Sequence, residues 1–304
     1  MRARRLEWLA VALLSVAVIF AATLWTWPLS FFHGYAELRM ILGGAQSRST
    51  TVEGMRIHYY VMGPEDGHPV VLVHGLGGRA DDWGNLAPYL AKAGYRVYMP
   101  DLPGYGQSAK PVNFSYSVPD EAAVVVGFFD VLGLKQVDLG GWSMGGWIVQ
   151  LVAAEHPERV QRLMLFDSAG ISERPTWNTQ LFTPTTPEEL QQFYALLMPN
   201  PPKMPGFVAN AILRSSRNSA WIIHRAMGSM LTGRDVTDKL LPKLKMPVLM
   251  VWGAKDRITP LNLAEKMHHL VPQSEIDVIP GCGHLAPSQC AAKIGPAVVQ
   301  FVKQ

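Results

Sequence analysis

Val137-Asp-Leu-Gly-Gly-Trp-Ser-Met-Gly-Gly-Trp-Ile-Val-Gln150 is the stretch that decides the fold of this chain. The apolar run from Val137 to Leu139 reads as a strand, and Gly146 to Ala154 reads as a helix. Between them lies Gly141-Trp-Ser-Met-Gly145. A serine on a sharp strand-to-helix turn flanked by glycines is a nucleophile elbow. Such a turn strains the serine backbone, and a side chain at Gly141 or Gly145 would collide with the neighbouring strand or helix. The hydroxyl is then held at a helix N-terminus, where the backbone dipole favours developing negative charge. Gly-x-Ser-x-Gly alone is a loose pattern; the strand before it and the helix after it carry the reading.

A serine hydroxyl is a weak nucleophile at neutral pH, so it needs a base and an acid that orients the base. Nine histidines and 24 acidic residues are available, and position must choose among them. His284 ends Gly281-Cys-Gly-His284, a glycine-rich loop just after the apolar segment Ile276 to Ile279. Asp256 follows Pro247-Val-Leu-Met-Val-Trp-Gly253, the cleanest buried-strand signal in the chain. Both lie past the C-terminal ends of predicted strands, where open α/β sheets place their ligands. The plain alternatives are a surface-loop histidine and a helix-capping aspartate. An oxyanion hole is expected from the amide of Met144, directly after the nucleophile, and from that of Leu76. Leu76 stands in Gly75-Leu-Gly-Gly78, after the strand Val70-Val-Leu-Val-His74. His74 reads as a brace for that loop, and Asp101 to Ser108 as a tight turn tied down by Asp101.

These residues together resemble the α/β-hydrolase superfamily from about residue 50 onward, in the order Ser143, Asp256, His284. His74-Gly75 with Trp83, Asp101 to Ser108, Gly141 to Gly146, Trp252-Gly253-x-x-Asp256 and Gly283-His284 fall in that superfamily's order and spacing. More narrowly, the chain resembles membrane-anchored monoacylglycerol lipases and related bacterial lipases and esterases. That likeness rests on the N-terminal apolar segment, Gly-x-Ser-Met-Gly-Gly, and Thr186-Pro-Glu-Glu-Leu190. Bacterial ring-cleavage C–C hydrolases share Ser-Met-Gly-Gly. Gln289 departs from the glutamate often found five residues past the histidine. The resemblance implies an acyl-enzyme on Ser143, and hence ester, thioester or amide substrates; dehalogenases and epoxide hydrolases of this fold carry aspartate there.

Trp8 to Trp27 is an uncharged run of about 20 residues, long enough at 1.5 Å per residue to cross a hydrocarbon core of ~30 Å. Trp25 and Trp27 stand where an interfacial belt would be, and Pro28 is expected to end the helix. A cleavable signal peptide fits the basic start, Arg2, Arg4 and Arg5, equally well. The length of the apolar run and the bulky Leu24-Trp-Thr-Trp27 favour a retained anchor over a cleaved signal or a buried core helix. The arginine bias favours the N-terminus in the cytoplasm and the catalytic domain on the other side, whereas the animal lipases that the chain resembles face the cytosol, which leaves both topologies open. Cys282 and Cys290 flank His284; an exported domain would allow them to pair, and two free thiols are the expectation. A net charge of +3, without a basic stripe, excludes a nucleic-acid partner. No metal or organic cofactor is expected.

Strand-like runs recur at 50–53, 56–62, 70–74, 96–100, 136–139, 162–167, 247–252 and 275–279, with helical stretches between the later ones. The fold expected is α/β, a mostly parallel eight-stranded sheet with helices on both faces and an N-terminal transmembrane helix. Residues 1–30 form the anchor, 31–171 with 242–304 the core, and 172–241 an inserted helical cap. Thr186-Pro-Glu-Glu189 starts a cap helix with a capping box. Trp142, Met198, Phe207, Trp221 and Met227 are the expected substrate pocket, with cap packing as the plain alternative. The expected function is a serine hydrolase of carboxylic esters, monoacylglycerols or similar lipids. A C–C hydrolase with the same triad, and a ligand-binding protein that kept the fold without turnover, are the alternatives.

Overall fold

The computed structural model describes residues 2–304; the side chains of residues 2–3, 5–7 and 9–12 lie outside the description, and with them Arg2 and Arg5 of the basic start. The eight strands are β1 (Gln46–Val52), β2 (Met55–Met62), β3 (Pro69–Val73), β4 (Arg96–Pro100), β5 (Val137–Trp142), β6 (Val160–Phe166), β7 (Val248–Gly253) and β8 (Glu275–Ile279). They form one sheet in the order β1-β2-β4-β3-β5-β6-β7-β8, antiparallel at β1/β2 and β2/β4 and parallel elsewhere. The hairpin between β1 and β2 turns through Glu53 and Gly54, both at positive φ (49° and 78°), which matches the right-handed twist of the two strands. β5 and β7 are buried along their whole length, as strands covered on both faces must be.

The helices are α1 (Arg2–Thr26), α2 (Pro28–Leu42), α3 (Ala87–Lys92), α4 (Val118–Val131), α5 (Met144–Glu155), α6 (Pro187–Leu197), α7 (Gly206–Met230), α8 (Leu261–Leu270), α9 (Ala286–Gln289) and α10 (Ala291–Val302). α4, α5 and α8 bury Phe128, Val149 and Met267 on one face of the sheet. α3 and α10 bury Leu90 and Phe301 on the other. α6 and α7 form the cap, inserted between the neighbouring strands β6 and β7. At the start of α6 the Thr186 hydroxyl accepts the Glu189 amide at 3.2 Å, as expected of an N-cap. The Glu189 carboxylate closes on Thr185 rather than on Thr186, so the reciprocal half of the capping box is shifted by one residue.

The N-terminal segment differs from a single straight span. Among the described residues no one helix is long and apolar enough to cross a membrane; Leu13–Thr26 and Pro28–Leu42 qualify only together, across a 100° bend. Pro28 opens α2 instead of merely ending α1. Proline is well placed in a first helical turn, and it pushes the residue before it out of the helical region; Trp27 sits at φ −128°, ψ 56°. Leu13, Leu14, Val16, Val18, Ile19 and Phe20 of α1 are all exposed, whereas α2 buries Met40 against the core. Trp25 stacks on Phe207 of the cap, with ring centroids 4.6 Å apart.

Cys282 and Cys290 form a disulfide, not two free thiols. The single turn of α9 folds the chain back, bringing their Cα atoms to 6.4 Å, within bridging range.

Candidate active site

The elbow is built as the glycine pattern requires. Ser143 has φ +57° and ψ −118°, a setting that costs a non-glycine residue of order 1–3 kcal/mol. Its neighbours hold it there: the Ser143 amide donates to the Phe166 carbonyl at 3.0 Å, and the Ala169 amide donates to the Ser143 carbonyl at 3.1 Å. A Cβ on Gly141 would run into the Gly145 carbonyl, and one on Gly145 into the carbonyls of Val73 and His74. Only glycine lets α5 approach β3 and β5 this closely.

The three residues expected to act together do meet. Ser143 Oγ lies 2.9 Å from His284 Nε2, and His284 Nδ1 lies 2.8 Å from Asp256 Oδ2. The carboxylate can only accept, so Nδ1 carries the proton and Nε2 faces the hydroxyl as a base. Asp256 is fixed by the amides of Ile258 and Thr259, which donate to Oδ1 at 2.7 and 3.0 Å. The Thr259 hydroxyl stands 2.7 Å from Oδ2. Asp256 and His284 are buried and Ser143 is partly open, so the hydroxyl is the member that substrate reaches.

His74 supports the oxyanion loop. Its Nε2 accepts the Leu102 amide at 3.0 Å, which leaves Nδ1–H to donate to the Gly75 carbonyl at 2.8 Å. Burial lowers the pKa of His74 and keeps the ring in that neutral form. The Gly78 amide binds the same carbonyl at 3.0 Å. In a trans peptide the carbonyl and the next amide point opposite ways, so pinning the Gly75 oxygen directs the Leu76 N–H away from it. Leu76 lines the cavity beside Ser143. Met144 is the first residue of α5, where amides have no intrahelical partner. Asp101 ties down the adjoining loop, accepting His58 Nδ1 at 2.7 Å and the Ala80 amide at 2.7 Å. Burial alone would raise the Asp101 carboxyl; these bonds, His58 first, outweigh it and hold the carboxyl below its ordinary range.

A cavity of about 600 Å³ opens at Ser143. Its lining includes the apolar side chains of Leu76, Trp147, Met227, Met230, Ile258 and Leu263 and the polar ones of Ser172, Glu173, Arg174, Thr176 and Asn262. Of the five residues expected to form the pocket only Met227 does so. Trp142 instead donates its indole N–H to the His284 carbonyl at 2.8 Å and packs near Trp83. Met198 contacts Gln289, Phe207 faces Trp25, and Trp221 sits edge-on to Tyr116. Met198 follows α6, and the faces of α7 that bear Phe207 and Trp221 meet Trp25 of α1 and Tyr116, so these side chains brace the cap. Thr259 and Asp167, both at the triad acid, are additions that the sequence reading lacked. Asp167 follows β6 as Asp256 follows β7, and that position was the available signal.

The family model for the alpha/beta hydrolase fold matches residues 68–227 and 232–289. The chain belongs to that family. Lipase 3 of Moraxella sp. (strain TA144) is 29% identical over 251 residues, covering 78% of each chain. A 2-hydroxy-6-oxononadienedioate/2-hydroxy-6-oxononatrienedioate hydrolase of Burkholderia vietnamiensis is 27% identical over 82% of this chain and 92% of its own. Among solved structures, a membrane phospholipase A described as a bacterial virulence factor superposes with a TM-score of 0.83 at 26% identity, covering 98% of both chains.

Proposed function

We propose that this chain is a membrane-anchored serine esterase that cleaves monoacylglycerols or similar lipid esters through an acyl-enzyme on Ser143. The observation that carries the reading is the unbroken Ser143–His284–Asp256 relay opening into a cavity lined in part by apolar side chains. His284 takes the Ser143 proton as Oγ attacks the ester carbonyl. The amides of Leu76 and Met144 bind the oxyanion, and Asp256 stabilises the imidazolium. The imidazolium protonates the departing alcohol. His284 then deprotonates a water molecule, which attacks the acyl carbonyl and releases the carboxylic acid and Ser143. Arg174 is the one cation among the described lining residues, whereas a dienoate C–C substrate calls for a more polar, basic pocket. The exposed apolar side chains of α1 support insertion in a bilayer, from which a lipid ester reaches the site by lateral diffusion. The disulfide at His284 fits an oxidising compartment and agrees with the arginine bias that favours a catalytic domain outside the cytoplasm.

The test compares the wild type with Ser143→Ala in detergent micelles on a monoacylglycerol, a short p-nitrophenyl ester and a ring-cleavage dienoate. The reading requires wild-type turnover of both esters and a loss of several orders of magnitude in the variant. Cleavage of the short ester alone removes the lipid assignment; turnover of the dienoate alone transfers the reading to the C–C hydrolases.

A further inference from the structure

A second carboxyl stands behind the triad acid. Asp167 follows β6 as Asp256 follows β7, and Phe166 pairs with Val251 across those strands. Its backbone is held at φ +43° by its amide, which donates to the Val251 carbonyl at 2.9 Å, and by the Thr259 hydroxyl, 2.9 Å from its carbonyl. The side chain is fully buried. Oδ1 accepts the Gly253 amide at 2.7 Å. Oδ2 is buried without a donor among the described residues, and the carboxyl neighbours that of Asp256, whose charge acts on it. Asp256, by contrast, is met by three N–H donors, the Ile258 and Thr259 amides and His284. Two ionised carboxylates touching in a buried site repel, so the pair carries one charge and one proton. The donors place the charge on Asp256.

We propose that Asp167 is a protonated positioning residue: its carboxyl O–H donates to Asp256, holds that carboxylate toward His284, and supplies a reserve anion when the charge of Asp256 is lost. Burial, and then the neighbouring charge of Asp256, push the Asp167 carboxyl well above the ordinary range. Asp256 is the titratable group facing it from the loop after β7; His284, from the loop after β8, meets Asp256 and Thr259 and reaches Asp167 only through them. The proposal rests on the triad reading of Ser143, Asp256 and His284.

Four proteins test it: the wild type, Asp167→Asn, Asp256→Asn and the double variant, followed on a short p-nitrophenyl ester from pH 5 to 9. Asp167→Asn keeps an N–H donor toward Asp256 and leaves the charge of the pair unchanged, so the acid limb of kcat/KM should stay unshifted. Asp256→Asn should lose about 10⁴-fold. The double variant should fall at least tenfold further, because Asp167, freed from the neighbouring charge, ionises in the single variant and compensates the imidazolium. Equal activity of Asp256→Asn and the double variant overturns the reserve role. A drop in Asp167→Asn with the acid limb moved to lower pH shows an ionised Asp167 and overturns the proposal outright. Carboxyl-¹³C aspartate labelling reads the proton directly, even where a variant fails to fold or no ester is turned over. One resonance of the wild type, identified by its loss in Asp167→Asn, must remain at the protonated position through neutral pH; its absence overturns the proposal without touching the hydrolase reading.

Discussion

Replacing both Cys282 and Cys290 with alanine removes a bridge that closes an eight-residue separation around His284. In the chain-entropy description a loop of that length stabilises the folded state by about 2.5 kcal/mol. For a domain of this size that corresponds to a fall in Tm of about 4–5 °C. The histidine keeps its other restraints: Asp256 at 2.8 Å, Ser143 at 2.9 Å and the indole of Trp142 at 2.8 Å. The Asn85 side chain also donates to the Ser288 carbonyl at 2.6 Å and anchors α9 from outside the bridge. Stability and chemistry should therefore separate. Scanning calorimetry should show the full loss of Tm, while kcat at 25 °C on a short ester falls less than tenfold. Reducing agent should bring wild type to the Tm of the variant and leave the variant unmoved. An unchanged Tm in both experiments would refute the reasoning, because it would mean that the loop is just as restricted without the bridge.

Gly145→Ala should abolish ester turnover and lower Tm by several degrees, since its Cβ would enter the carbonyls of Val73 and His74, whereas Gly206→Ala, with nothing within 4 Å, should leave both unchanged; calorimetry and labelling by a serine-reactive fluorophosphonate read the contrast. Trp142→Phe removes the N–H held to the His284 carbonyl and should lower kcat severalfold with KM nearly constant, as steady-state kinetics would show. Burial raises the Asp82 carboxyl to about 7 against the opposing bond from the Arg79 amide. The folded chain then binds more protons than the unfolded one between about pH 4 and 7, so this group's contribution to stability is lost as pH rises through that window. Asp82→Asn should therefore gain Tm relative to wild type at pH 8.5 compared with pH 5, and an equal difference at both pH values would contradict it.

The triad was legible because each member follows a strand-like segment, Val137 to Leu139, Val248 to Gly253 and Ile276 to Ile279, the last in the partly exposed edge strand β8. Local pattern and global position agree there, and glycines mark the turns. Asp167 obeys the same rule but reads as the last residue of a strand, since sequence carries no sign that a carboxyl faces another one 89 positions away. The pocket was poorly legible for a different reason. Periodicity in α6 and α7 says that Met198, Phe207 and Trp221 share apolar faces, not what those faces meet, and the partners are α9, Trp25 and Tyr116. The cysteine pairing turned on the single turn of α9, which a spacing of eight does not reveal.

The cap leaves the sheet after β6 and returns at β7, two strands paired side by side at Leu163 and Val248. Its two ends are thus anchored on adjacent positions of a scaffold that is otherwise complete without it. An insertion, deletion or wholesale exchange between those points lengthens or reshapes the roof over Ser143 without moving a single residue of the relay beneath. Reaction chemistry and substrate choice can therefore be inherited on separate tracks, the first in the strand ends and the second in one exchangeable segment. That separation gives a physical reason why one chain resembles a lipase and a C–C hydrolase to nearly the same degree.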